Sequence, residues 1–295
     1  MILIIVRKVG ILLVAFLLST ACASPVAEPR DPKLRLVATT SILGDVVRNV
    51  VGEAAEVEVL IPNGVGPHDF APSSHSVAMM SAANLVIANG LGLEEGLEEV
   101  LSSVEVDGVP VLRVSEHVDP LDLDPHFWQD PIRMIAAVNA VSDRLSEQGL
   151  EETAATAAAY KSRLDAVNIE MVSILSAIPP AKRLLVTNHD AFGYFAARYG
   201  FELIGVIVPS SSELSGPSSS GFANLIRVVR EREVPAIFVE NIDSAEYAET
   251  LAAEVGRPIS IVTLISDALG EPGSETDTYL GMLLYNARAI ADALG

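Results

Sequence analysis

The feature that most constrains the fold is an alternation of strand-like and helix-like stretches that begins at residue 34 and begins again after residue 182. "LRLVATTSILGDVVRNVVGEAAEVEVLIP" and "RLLVTNHDAFGYFAARYGFELIGVIVP" share one order: strand, polar turn, helix, strand and proline. Such alternation is typical of a mainly parallel sheet flanked by helices. The 295 residues are enough for two such units. We therefore predict an α/β protein with two similar lobes.

A long helix is predicted between the two repeated halves. Residues 151–178 are rich in good helix formers and contain no glycine or proline, and Pro179 and Pro180 follow directly. A flexible hinge would be rich in glycine and serine instead. We expect one rigid helix over 151–178 to join an N-terminal lobe, residues 34–150, to a C-terminal lobe, residues 179–295.

The N-terminus has the composition of an export signal. Arg7 and Lys8 precede a short apolar run and small residues that end at Cys22. The run is too short to span a membrane comfortably. We predict a signal peptide over 1–21 and a tether over 22–33, with Cys22 lipidated and the protein exported, either anchored to the outer face of the cell membrane or periplasmic. The alternative is an ordinary signal peptide with an incidental cysteine.

Cysteine count and charge exclude several classes of function. Cys22 is the only cysteine, so an intrachain disulfide and a thiolate metal site are both excluded. The formal net charge of −20 makes nucleic acid a poor partner and a cation a better one.

Four residues at the ends of predicted elements are candidate metal ligands: His68, His126, His189 and Asp277. Binding groups gather beyond the carboxyl ends of parallel strands, and His68 and His189 each follow a predicted strand. If the lobes face each other, each lobe contributes two ligands to a shared cleft. Three imidazoles and one carboxylate are suited to a four-coordinate divalent metal.

His126 has the most constrained local sequence, "DPHFWQDP". Pro125 fixes the backbone before it. Asp130 and Pro131 are typical of a helix N-cap and first helical position. The histidine is therefore expected on a rigid turn at the start of a helix.

Each candidate also has a purely structural interpretation. A single histidine is commonly a hydrogen-bonded loop or core residue, and His189 could cap the helix that follows it. Asp277 has the strongest structural alternative, because Ser274 and Asp277 fit a capping box. His75 and His117 have no such framing, and we predict that both are surface residues.

Four motifs in this chain resemble those of a known family. "GPHDFAPSS", "DPHFWQDP", "NHDAFGYFAARYG" and "TDTYLGMLLYN" occur in the order and at roughly the spacing found in the zinc- and manganese-binding solute-binding proteins of ABC importers, the TroA/ZnuA type. The resemblance covers nearly the whole mature chain. It implies two α/β lobes joined by a rigid helix, with the metal held between them by His68, His126, His189 and Asp277.

The resemblance also implies a function: a monomeric, lipid-anchored receptor, not an enzyme, that delivers its metal to an ABC permease. Three nitrogens and one oxygen favour zinc, and manganese-binding relatives usually carry a carboxylate where this chain has His189. The alternatives are a manganese receptor, a metal-dependent surface adhesion protein and a metallohydrolase. We expect Asp124, Asp130 or Glu240 to orient ligand imidazoles, and a serine-rich loop, 209–221, to lie over the site.

Overall fold

The structure, a computed structural model, describes residues 33–208, 216–242 and 244–295. The predicted signal peptide, Cys22 and all but the last residue of the predicted tether lie outside these ranges, as do residues 209–215 of the serine-rich loop. Within the described residues, no helix is both long enough and apolar enough to cross a membrane.

Within the described ranges, eight strands form two four-stranded sheets. They are β1 Leu34–Ala38, β2 Ala55–Val59, β3 Leu85–Ala88, β4 Val111–Arg113, β5 Leu184–Thr187, β6 Glu202–Val206, β7 Ala236–Glu240 and β8 Ser260–Leu264. The first sheet has the order β2-β1-β3-β4 and the second has the order β6-β5-β7-β8. All neighbours pair in parallel. The two halves therefore have the same topology, and the predicted fold class is confirmed.

Helices cover both faces of the sheets. They are α1 Ser41–Val51, α2 Ser74–Ser81, α3 Glu98–Val106, α4 Pro131–Glu147, α5 Thr153–Leu175, α6 Gly193–Tyr199, α7 Ser219–Glu231, α8 Glu246–Val255 and α9 Tyr279–Leu294. The predicted start of α4 is confirmed: Asp130 accepts a hydrogen bond from the Ile132 amide, and Pro131 is the first helical residue. The polar cap and the proline fix where this helix begins.

Residues on alternate sides of each strand enter different parts of the core. In β1, Leu36 packs into the large central core, whereas Val37 packs beneath α2 and α3. Strands β3, β5 and β7 are buried along their whole length, as expected for parallel strands covered on both faces. The central core draws side chains from both halves.

Helix α5 is the long helix between the two sheets in sequence. Its 23 residues give a length of about 35 Å at about 1.5 Å per residue. Buried side chains recur every three or four residues along one face, from Thr153 through Tyr160 and Leu164 to Leu175. That face contacts α1 and α4 of the first half and α9 of the second. Residues Lys33–Gly295 form one compact unit.

Candidate metal centre

Three histidines and one aspartate converge from four separate segments. His68 lies in the loop after β2, and His126 lies between β4 and α4. His189 follows β5, and Asp267 follows β8. Each half therefore contributes two side chains from loops beyond the carboxyl ends of its strands, where binding groups of parallel sheets gather.

The potential ligand atoms of these four residues all lie within 4.8 Å of one another. His68 Nε2 is 3.2 Å from His126 Nε2. The Asp267 carboxylate is 3.4 Å from His68 Nε2, 3.3 Å from His189 Nε2 and 3.8 Å from His126 Nε2. Zinc bonds of about 2.0–2.1 Å in a tetrahedron separate ligand atoms by about 3.3 Å. The group therefore has the dimensions of a four-coordinate metal site.

Asp267 is the buried anion of the group, with only 2% of its surface exposed. Burial raises the pKa of its carboxyl, but attraction from His189 and His126 and hydrogen bonds from His189 and His68 lower that pKa well below its usual value. Because the pKa is lowered overall, the surrounding imidazoles stabilise the carboxylate when they carry positive charge. A bound cation would stabilise it in the same way.

Two of the imidazoles are held by carboxylates on their other ring nitrogen. Asp124 Oδ1 lies 2.6 Å from His126 Nδ1 and also accepts the His126 amide at 2.9 Å. Glu240 Oε2 lies 2.6 Å from His189 Nδ1, and its other oxygen accepts the His189 amide at 3.2 Å. These contacts leave Nε2 of each ring facing the centre and make it a better ligand. Asp124 and Glu240 therefore lie where they can orient these imidazoles, in line with the sequence-based prediction.

Among the described residues, Asp130 contacts no imidazole, so the expectation that it orients one was wrong. Its carboxylate caps α4 and accepts two hydrogen bonds, at 2.8 and 2.7 Å, from Arg198 on α6. In the "DP" pair at the start of α4, the Asp130 carboxylate is engaged in capping the helix. The side chain is therefore directed to the amides of the first helical turn rather than to His126.

The structure does not place Asp277 with the three histidines; Asp267 lies there instead. Asp277 Oδ2 accepts the Gly273 amide at 2.8 Å. The side chain lines a separate cavity beside Asp45 and Asn63. Helix α9 is capped by Thr278, which accepts from Gly281, so the proposed capping box of Ser274 and Asp277 does not form either.

A signal for Asp267 was present in the sequence. "SDALG" follows the apolar run "ISIVTLI", which contains β8, so its aspartate stands beyond the carboxyl end of a strand. This is the criterion that selected His68 and His189. Asp277 lies in a motif before α9 instead, and its carboxylate accepts a hydrogen bond within a turn. His75 and His117 are exposed, as predicted.

Side chains from both halves fix the segment that carries Asp267. The Trp128 indole donates to the Ser266 carbonyl at 2.8 Å, although Trp128 precedes α4 in the first half. Asn241, just after β7, accepts the Ser266 amide at 3.3 Å and donates to the Ala268 carbonyl at 3.1 Å. The peptide groups on both sides of Asp267 are therefore held.

A cavity of about 530 Å³ opens onto the imidazoles of the group. Its lining includes the carboxylates of Asp122, Asp124 and Asp190 and the apolar side chains of Leu91 and Leu123. Among the described residues, no lysine or arginine lines it. The approach to the site therefore carries negative potential, which favours cations over anions.

The chain is similar to metal-binding proteins of ABC importers in both family and sequence comparisons. Residues 36–293 match the family described as zinc-uptake complex component A, periplasmic. A manganese-binding lipoprotein, MntA, of Halalkalibacterium halodurans is 30% identical, over 96% of this chain and 97% of its own. The manganese ABC transporter substrate-binding lipoprotein PsaA of Streptococcus mitis is 29% identical, over 98% of this chain and 99% of its own.

A solved structure has the same architecture. The periplasmic zinc-binding protein TroA of Treponema pallidum aligns with a TM-score of 0.83 and 31% sequence identity. The alignment covers 89% of this chain and 99% of that one.

Proposed function

Because the chain belongs to the family of zinc-uptake complex component A, we propose that it binds one divalent transition metal ion, zinc, and delivers it to the permease of an ABC importer. The observation that carries the proposal is the convergence of His68, His126, His189 and Asp267 from four segments. Buried titratable side chains are costly to bring together unless a partner compensates them. A divalent cation is that partner.

The donor set favours zinc over manganese. Three imidazole nitrogens and one carboxylate suit zinc, whereas manganese prefers oxygen ligands and has the lowest affinity among the first-row divalent metals. The names of the relatives include both metals, so similarity by itself does not decide the cargo. The decisive position is His189, whose Nε2 lies 3.3 Å from Asp267 and supplies the third nitrogen.

Calorimetry with zinc and with manganese tests the choice of cargo. We expect one tightly bound zinc per chain and weaker binding of manganese. A His189→Asp substitution replaces a nitrogen donor by oxygen and should weaken zinc binding more than manganese binding. Tighter binding of manganese than of zinc by the wild-type chain would identify a manganese receptor. Loss of both affinities by the same factor would show that His189 does not set the preference.

We also propose that the protein is exported and anchored through a lipid on Cys22. The basic residues, the short apolar run and the cysteine support this, and two of the relatives are named lipoproteins. Metabolic labelling with a fatty-acid analogue should mark the wild-type chain and leave Cys22→Ser unlabelled. Equal labelling of both chains would exclude Cys22 as the anchor.

The family consists of transport receptors rather than enzymes. We propose that the chain acts as a monomer with an ABC permease as its partner. Deletion of the gene should impair growth when zinc is scarce, and added zinc should restore it. Growth indifferent to metal supply would favour an adhesion role for the same fold.

A further inference from the structure

Helix α6 joins the two metal-facing segments of different halves. It begins at Gly193, shortly after His189, and its first two residues contact the loop that carries Asp124 and His126. His126 belongs to the first half in sequence, but this loop is held by a helix of the second half. The helix is therefore placed to fix one histidine relative to the other.

Tyr194 bridges the two ends of the segment before His126. Its hydroxyl accepts the Leu121 amide at 2.9 Å and donates to the Asp124 carbonyl at 2.8 Å. Between them, Asp122 has a φ of 49°, a left-handed conformation that non-glycine residues rarely adopt. A segment with such strain needs contacts from its surroundings to hold it. Tyr194 is 1% exposed and supplies two of them.

Gly193 leaves room for the Asp124 carboxylate. A Cβ atom at this position would lie 2.7 Å from Asp124 Oδ2. The other oxygen of that carboxylate is 2.6 Å from His126 Nδ1. Any side chain at position 193 would therefore displace the group that orients His126.

We propose that Gly193 and Tyr194 are positioning residues for metal binding. Gly193 leaves room for the Asp124 carboxylate and Tyr194 holds the loop that carries it. Together they keep Asp124, and through it His126, in a fixed position relative to His189. The inference rests on the proposed function and adds residues that do not touch the metal. It explains why the start of α6 combines a glycine with a buried tyrosine whose hydroxyl is directed to a loop rather than to its own helix.

A tyrosine pair on the same helix provides the first test. Tyr194→Phe removes the hydroxyl that holds the loop and should weaken zinc binding about tenfold, within the range seen for groups that orient metal ligands. Tyr199→Phe is the matched control, because the Tyr199 hydroxyl contacts Asn168 and Met171 on α5 instead. Its zinc affinity should equal that of the wild type. Equal losses in the two variants would overturn the proposal.

Gly193→Ala separates positioning from stability. Gly193 is the first residue of α6 and the displaced Asp124 carboxylate is partly exposed, so the melting temperature should change by no more than about 3 °C. Zinc affinity should nevertheless fall about tenfold, because the new methyl group displaces Asp124. A general defect in folding would lower both quantities together.

The closing experiment repeats Gly193→Ala in an Asp124→Ala background. With the carboxylate gone, the methyl group has nothing to displace, so the glycine substitution should cause no further loss of zinc affinity. A loss by the same factor in both backgrounds, or no loss in either, would overturn the proposal. Manganese binding is measured in parallel. A wild-type chain that binds neither metal would contradict the proposed function itself. Tight binding by the wild type with unchanged affinity in the variants would contradict only this inference.

Discussion

His126 and His189 show how single residues shape this site. Each imidazole has a carboxylate on Nδ1, Asp124 for one and Glu240 for the other, and each directs Nε2 to the centre. The carboxylate fixes the ring orientation and raises the basicity of the ligand nitrogen. Asp267 supplies the one oxygen from a buried position. Residue by residue, the arrangement favours a metal that prefers nitrogen donors.

The lowered pKa of Asp267 predicts how acid affects metal binding. The imidazoles must be neutral to bind a metal, so zinc affinity should fall as the pH falls from about 7 to about 5. Because its pKa is well below the usual value, Asp267 stays a carboxylate throughout this range and takes up no proton. The attraction that lowers this pKa also stabilises the protonated imidazoles, so Asp267→Asn should lower the affinity and make its fall with decreasing pH shallower than in the wild type. Competition with a chelator at several pH values measures both.

An unchanged slope in Asp267→Asn would contradict this prediction and show that Asp267 does not stabilise the protonated imidazoles in this range. Glu202→Gln, on a surface residue paired with Arg232, is the matched control and should leave both affinity and slope unchanged.

The three histidines could be predicted from the sequence, whereas the position of Asp267 after an apolar run suggested it as the carboxylate without excluding Asp277. His68, His126 and His189 stand out because histidines are few and their flanking residues are distinctive. Aspartates are common in an acidic chain, so residue type says little about which one faces the site. Asp267 and Asp277 both lie near element ends, and only the packing of β8 beside β7 brings Asp267 to the centre.

At the scale of elements, the ion pair between α4 and α6 links the two halves. Asp130 is buried, caps α4 and accepts both hydrogen bonds from Arg198. Asp130→Ala removes a cap worth about 1 kcal/mol and charged hydrogen bonds worth about 1.5–3 kcal/mol. We expect the free energy of unfolding to fall by about 3 kcal/mol, measured by urea denaturation.

Asp143→Ala serves as the control for Asp130→Ala, since Asp143 lies on the exposed face of the same helix. It should change the free energy of unfolding by no more than about 0.5 kcal/mol. Similar losses in the two variants would mean that Asp130 contributes only through general helix stability.

Most elements could be predicted because their signals are local. Apolar runs such as "LVIANG" and "VPVLRV" contain β3 and β4, and α5, Thr153–Leu175, lies inside the predicted 151–178. Contacts between the first and second halves of the chain leave no local pattern in the sequence. The bond from Trp128 to Ser266 depends on how separate elements pack, so the sequence alone does not indicate it.

At the scale of the whole molecule, the packing of α5 limits the motion that accompanies binding. The helix packs against α1, α4 and α9, and one core runs through both halves. Opening a wide cleft would expose that core. A compact chain the size of residues Lys33–Gly295 has a radius of gyration of about 18 Å. We predict that this value is the same, within measurement error, with and without zinc. Small-angle scattering with and without zinc measures this directly.

A clear decrease in the radius of gyration on adding zinc would contradict this expectation and indicate closure of two mobile lobes. The His126→Ala variant, measured in the same way, separates an effect of bound metal from an effect of zinc on the solution.

The central claim is that His68, His126, His189 and Asp267 bind the metal, and the pair Asp267→Asn and Asp277→Asn tests it most directly. Zinc affinity and stoichiometry would be measured by calorimetry on the wild type and both variants. We predict one zinc per wild-type chain, a loss of more than about 100-fold in Asp267→Asn, beyond the range for groups that only orient ligands, and wild-type affinity in Asp277→Asn. Full affinity in Asp267→Asn, or a large loss in Asp277→Asn, would contradict the account.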